Sequence, residues 1–187
     1  METYIILGVI VILVIYIISI YNRLVRLRNN RENAFADIDV QLKQRHDLIP
    51  QLVDSVKGYM KHEEGVLTKV TKARTNALAA NTIAEKIGAE KELTAALSGL
   101  TIAVEAYPEL KANENFMQLQ GEISDIENKL AAVRRYFNSA TKELNNAIQV
   151  FPSNLLAGPF GFVREEMFDL GDEEREELDE APKIKFD

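Results

Sequence analysis

The chain has 187 residues, a formal charge of -7, no cysteine and no tryptophan. That length suits one modest domain with appendages, and the lack of cysteine excludes a disulfide framework and thiolate chemistry. Residues 165–180 hold ten acids against Arg175 and contribute -9, so the rest is near neutral. With no basic face interleaved with aromatics, no nucleic-acid partner is expected.

The first predicted element is a membrane span over residues 4–21, YIILGVIVILVIYIISIY, with thirteen Ile, Leu or Val and no charge. Eighteen residues at 1.5 Å rise reach roughly 27 Å, close to a hydrocarbon core of about 30 Å. At roughly -0.4 kcal/mol each, the aliphatic residues favour insertion by about 5 kcal/mol. The many β-branched residues weaken a helix in water. In lipid the backbone has no other hydrogen-bond partner, so the helix forms. A cleaved signal peptide would need a basic n-region and a small-residue cleavage site. Here Met-Glu-Thr leads, and no Ala-x-Ala follows. Arg23, Arg26, Arg28 and Arg31 follow the span and no base precedes it. The positive-inside rule then sets residues 1–3 outside and the body in the cytoplasm, at the inner membrane. The same arginines are candidate membrane-surface contacts.

The second predicted element runs from Phe35. Phe35, Ile38, Leu42, Ile49, Leu52, Val56 and Tyr59 keep a three-four rhythm, which Val66, Val70, Ala73 and Ala77 continue. A break near residues 58–62 is favoured. A kink at Pro50 with one long first helix is the alternative, since proline removes a helical bond and crowds the carbonyl of His46. A second stripe is Leu93, Leu97, Leu100, Val104 and Tyr107, after a cap at Asn81 or Thr82 with Glu85 downstream. A third joins Phe116, Leu119, Ile123, Ile126, Leu130, Val133, Phe137, Ala140, Leu144 and Ile148, with Asn113 as a cap candidate. Such spacing buries one face of each helix, and no stretch of comparable length alternates with period two. The expected fold is all-α: an N-terminal transmembrane helix, then an antiparallel up-down bundle of four long helices at 22–152. Residues 153–187 read as an acidic, partly disordered tail.

Candidate chemistry is sparse. His46 and His62 are the two histidines, and on one helix they would face about 160° apart at 100° per residue. No third His or Cys completes a zinc set, and no Glu-x-x-His pairs suggest a carboxylate site. No catalytic residue, metal or cofactor is assigned, and an enzyme is not expected. Arg45 is the exception to a bland reading, because it interrupts an apolar stripe. A buried arginine needs a carboxylate. Glu127, Glu143, Asp37 and Asp39 are the candidates considered, against an Arg45 that snorkels outward or meets a subunit. Asn138 and Asn145, beside the third stripe, read as devices that fix helix register. In the tail, Phe160, Phe162, Phe168, Ile184 and Phe186 are candidate interaction residues, the last two in a "PKIKF" that could extend a sheet edge.

The stretch YNRLVRLRNNRENAFADIDVQLKQRHDLIPQLVDSVKGYMKHE at 21–63 resembles the signature of the LemA family. ARTNA at 73–77, EAYPELKANENFMQLQGEISDIENKLAAVRRYFN at 105–138 and NNAIQVFPSNLLAGPFGF at 145–162 continue it, and APKIKFD resembles the family ending. Where this chain has His46 the family usually has an aromatic. The resemblance implies a membrane anchor, a cytoplasmic antiparallel bundle and no established enzymatic activity. Similar proteins include ones needed for magnetosome membrane formation and others associated with membrane proteases. Two functions follow as expectations. One is a scaffold that self-associates as a homo-oligomer, or organises partners, at the lipid bilayer. The other is an adaptor or substrate of a membrane protein partner such as a protease, acting through the tail.

Overall fold

The computed structural model describes residues 1–60 and 62–168. Among them the chain is all-α, with no strand. The described residues form six helices: α1 Glu2–Lys57, α2 Glu64–Ala79, α3 Ile83–Val104, α4 Pro108–Lys111, α5 Glu114–Gln149 and α6 Asn154–Ala157. The N-terminal part of α1 is long and apolar enough to cross a membrane, and none of that window is buried against the rest of the chain.

The helix boundaries follow from local chemistry. α1 continues through Pro50 and stops at Lys57, where Gly58 and Tyr59 form a turn; the Tyr59 and Met60 N–H groups both bond to the Val56 carbonyl. Of the two alternatives read from sequence, the break near 58–62 is the one seen. α3 begins in a capping box: Glu85 N–H donates to Thr82 Oγ1 at 3.2 Å, and Thr82 N–H donates to Glu85 Oε2 at 3.1 Å. Asn113 opens α5 by accepting from Phe116 N–H at 3.0 Å.

The chain divides into two compact units. Unit 1 comprises Met1–Gln44 with Asp125–Met167, and unit 2 is built on Arg45–Ser124. The core of unit 2 draws Ile49, Leu52 and Val56 from α1, Val70 from α2, Leu93 and Leu100 from α3, Leu110 from α4 and Phe116 from α5. All but Leu110 are stripe positions, which is why helices with polar outer faces settle there. α2 and α3 pack on each other.

Unit 1 buries Leu24, Ala34, Ile38 and Leu42 of α1 and Ile126, Leu130, Phe137, Ala140 and Leu144 of α5. Phe35 and Phe137 meet with ring centroids 5.5 Å apart. Unit 1 also includes residues that the sequence reading assigns to the tail. After α6, Gly161 N–H bonds to the Gly158 carbonyl and Phe162 N–H to the Ala157 carbonyl, with Gly161 at φ 75°. This is a Schellman closure, in which the left-handed position favours glycine and the next side chain folds back on the helix. Phe162 is thereby buried with Leu24, Ala147 and Ala157. The body thus continues past 152, the boundary set from sequence, where Pro and Ser had suggested only a helix stop.

Candidate functional site

Two buried polar clusters stand out, one in each unit. In unit 2, Arg45 and Glu90 are each 1% exposed. Arg45 Nη1 donates to Glu90 Oε2 at 3.1 Å, and Nη2 donates to Thr94 Oγ1 at 3.0 Å. His46 Nε2 donates to the other carboxylate oxygen, Glu90 Oε1, at 2.7 Å. A single carboxylate from α3 therefore takes donors from two consecutive residues of α1. Glu90 is none of the four carboxylates that the sequence reading offers Arg45. It was legible in principle, since it lies three residues before Leu93 and so extends the α3 stripe back by one turn.

A second arginine completes the cluster through the backbone. Pro50 has no N–H, so the carbonyl of His46 lacks its usual partner four residues on. Arg74 of α2 fills the vacancy: its Nε donates to the His46 carbonyl oxygen at 2.7 Å. His46 thus uses its side chain toward α3 and its carbonyl toward α2. Chemically, the cluster ties three helices together. Both Glu90 oxygens are occupied, and the carboxylate is shielded from solvent.

In unit 1 the centre is Arg31, 7% exposed. Its Nε donates to Thr141 Oγ1 at 3.2 Å, and its Nη2 reaches both the Glu166 carbonyl and Glu165 Oε2 at 3.2 Å. Its guanidinium also lies 4.9 Å from the centre of the Phe137 ring. Asn145 then grips the backbone of Glu165 from both sides. Its Nδ2 donates to the Glu165 carbonyl at 2.9 Å, and its Oδ1 accepts the Glu165 N–H at 2.8 Å. An amide side chain used this way imitates a strand neighbour and holds extended backbone in place.

The four juxtamembrane arginines therefore separate. Arg23 and Arg26 are exposed, Arg28 stacks 5.0 Å over the Phe162 ring, and Arg31 is committed to the interior of unit 1. Among the tail aromatics, Phe162 and Phe168 are buried, and Phe160 is half-exposed beside Tyr21. Ile184 and Phe186 lie outside the described residues. Among the described residues, no three His, Asp or Glu side chains come together as a metal site would require. His62 is exposed. A groove of about 600 Å³ between the end of α1 and α2, lined by Val53, Lys57, Met60, Glu64, Leu67 and neighbouring α2 residues, brings no set of catalytic side chains together.

The LemA family profile matches residues 34–186. Protein LemA of Metamycoplasma hominis is 27% identical over 161 residues, covering 84% of this chain and 73% of that protein. Magnetosome protein MamQ of Magnetospirillum gryphiswaldense is 32% identical over 82 residues, which is 44% of this chain and 30% of that protein. Magnetosome protein MamQ 2 of Paramagnetospirillum magneticum is 22% identical over 174 residues, 79% of this chain and 64% of that protein. The chain thus spans less than two thirds of either magnetosome relative. Arg45, His46, Pro50, Arg74 and Glu90 all fall within the matched range, as do Asn145 and the turn at Gly161. The profile covers the whole of the first cluster and all of the second except Arg31, and on that match this chain belongs to the LemA family.

Proposed function

We propose that this LemA-family protein is a single-span scaffold that holds copies of itself, or partner proteins, at the membrane. The observation that carries this reading is α1. It runs unbroken from an uncovered apolar window into a body face that is buried from Leu24 onward. No linker separates anchor from body in unit 1, so the span positions the body instead of merely tethering it. The relatedness to a LemA protein and to magnetosome proteins is in keeping with a membrane setting. The distribution of Arg23, Arg26, Arg28 and Arg31 supports an outside N-terminus and a cytoplasmic body.

The adaptor reading rests on the tail, and burial of Phe162 and Phe168 within the chain takes two aromatics from it. Crosslinking in native membranes separates the readings, using the full chain and a chain ending after Phe168. That end point leaves Glu165 and its clamp intact. Self-complexes formed equally by both chains support scaffolding. A heterologous complex lost with residues 169–187, with no self-complex, favours the adaptor.

A further inference from the structure

Beside the end of the candidate span, unit 1 presents a segment poor in charge and rich in uncovered apolar side chains. Residues 150–164, VFPSNLLAGPFGFVR, contain no acid and a single base, Arg164. Phe151 is 79% exposed, Leu155 and Val163 are 64% exposed, and Phe160 is 44% exposed. Large apolar side chains left exposed together in one short segment point to an interaction site.

The segment is fixed at one level along α1. The Phe160 and Phe162 rings stand edge-on to Tyr21, at centroid distances of 5.1 and 6.0 Å. Leu24, Ala147, Ala157 and Phe162 form the buried layer beneath, with Ile20 and Val25 against it. Tyr21 is the last residue of the span read from the sequence, so residues 20–24 lie within about 6 Å of its end along the helix. That is the depth at which hydrocarbon gives way to headgroups and where aromatic rings are enriched. Exposed Arg23 and Arg26 follow at the height of anionic headgroups.

We infer that residues 150–163 form a second membrane contact, with α6 and its flanking loops lying in the bilayer interface and Phe151, Leu155 and Phe160 reaching the acyl chains. This rests on the reading of α1 as a membrane span. The occupant is lipid because the patch adjoins the apolar surface of the span itself, through Tyr21 and Phe160, with no charged residue between Tyr4 and Tyr21 or between 150 and 163. A lone helix leaves tilt and rotation to be set by other anchors. A second contact beside the helix supplies one.

The chain has no tryptophan, so each of Phe151→Trp and Leu155→Trp introduces a sole indole into the full-length protein. Each is reconstituted in phosphatidylcholine–phosphatidylglycerol vesicles whose acyl chains carry bromine, a short-range quencher. Ile12→Trp reports on the span. Tyr136→Trp reports on unit 1 away from the interface, since Tyr136 bonds Asn30, about 14 Å beyond Tyr21 along α1. The expected result is loss of emission at positions 151 and 155 with bromine near the headgroup end. Position 12 should lose emission with bromine deep in the chain, and position 136 should lose none. Quenching at 12 with 151 and 155 behaving like 136 overturns the second contact and leaves the span standing. No quenching at 12 overturns the membrane reading, and the inference with it. Blue-shifted, unquenched emission at 151 that grows with protein density assigns the patch to a second copy of the chain and also overturns the inference.

Discussion

Arg45 and Glu90 are each 1% exposed, and removing two charges from water costs several kcal/mol per ion before their attraction offsets it. Such a pair is stable only while whole. Arg45→Met keeps the stem and removes the charge, so it should lower stability by about 3–5 kcal/mol. Exposed Lys43→Met should change it by no more than roughly 0.5 kcal/mol. Replacing both partners, Arg45→Met with Glu90→Met, should cost less than the two single changes together, read from urea midpoints of the full chain in detergent. Equal small shifts for Arg45→Met and Lys43→Met would show that the pair contributes nothing. Glu85 offers a different test. Its carboxyl is held below its ordinary value by the backbone N–H groups of Asn81 and Thr82, which it accepts at the start of α3. The folded value is the lower one, so its contribution is fully present above the unfolded value, near 4.5, and fades as pH falls through the folded value. The midpoint gap between wild type and Glu85→Ala should hold from neutral pH down to that region and then close. Arg45 was legible in the sequence because it breaks an apolar stripe. Arg74 was not, because its partner is a carbonyl that no side-chain pattern reveals.

The link between α1 and α2 operates between elements. A proline inside a helix costs about 3 kcal/mol, partly through the bond it withholds. Here that bond is replaced between helices, by Arg74 on the His46 carbonyl. Arg74→Met should therefore cost about 1–3 kcal/mol, the usual penalty for a buried acceptor left unmade. Pro50→Ala restores an N–H that can reach His46 within α1. In that background Arg74→Met should cost measurably less, giving a coupling energy from a double-mutant cycle. An unchanged cost in both backgrounds would place the role of Arg74 elsewhere. Elements whose ends are set by neighbouring residues were readable: the break after Lys57, the Thr82 cap and the Asn113 cap. α6 was not, because a four-residue helix has no periodicity. It is held by Phe162, folded back through Gly161, and the segment that follows is held by Asn145, which had been read only as a register device.

At the scale of the whole molecule, the all-α class and the uncovered N-terminal window were plain from composition and spacing. The extent of the body was not, since residues 153–167 are drawn into unit 1 by the single ring of Phe162 and by polar clamps, without a periodic apolar stripe. Orientation is the testable property here. A reporter fused after Asp187 should behave as cytoplasmic, and activity only on the far side would defeat the charge argument. Arg23→Glu with Arg26→Glu should mix the two orientations. Those two are the ones to alter, because Arg28 and Arg31 also hold unit 1 together. The Pro50 vacancy has one more consequence, in time. The chain is synthesised from its N-terminus, so all of α1 is made before Arg74 exists. Until α2 arrives, water alone satisfies the His46 carbonyl, and the end of α1 is a helix short of one bond. The same docking event that covers Ile49 and Val56 supplies it. The helix that would enter the bilayer first is thus finished only after a later part of the chain returns to it.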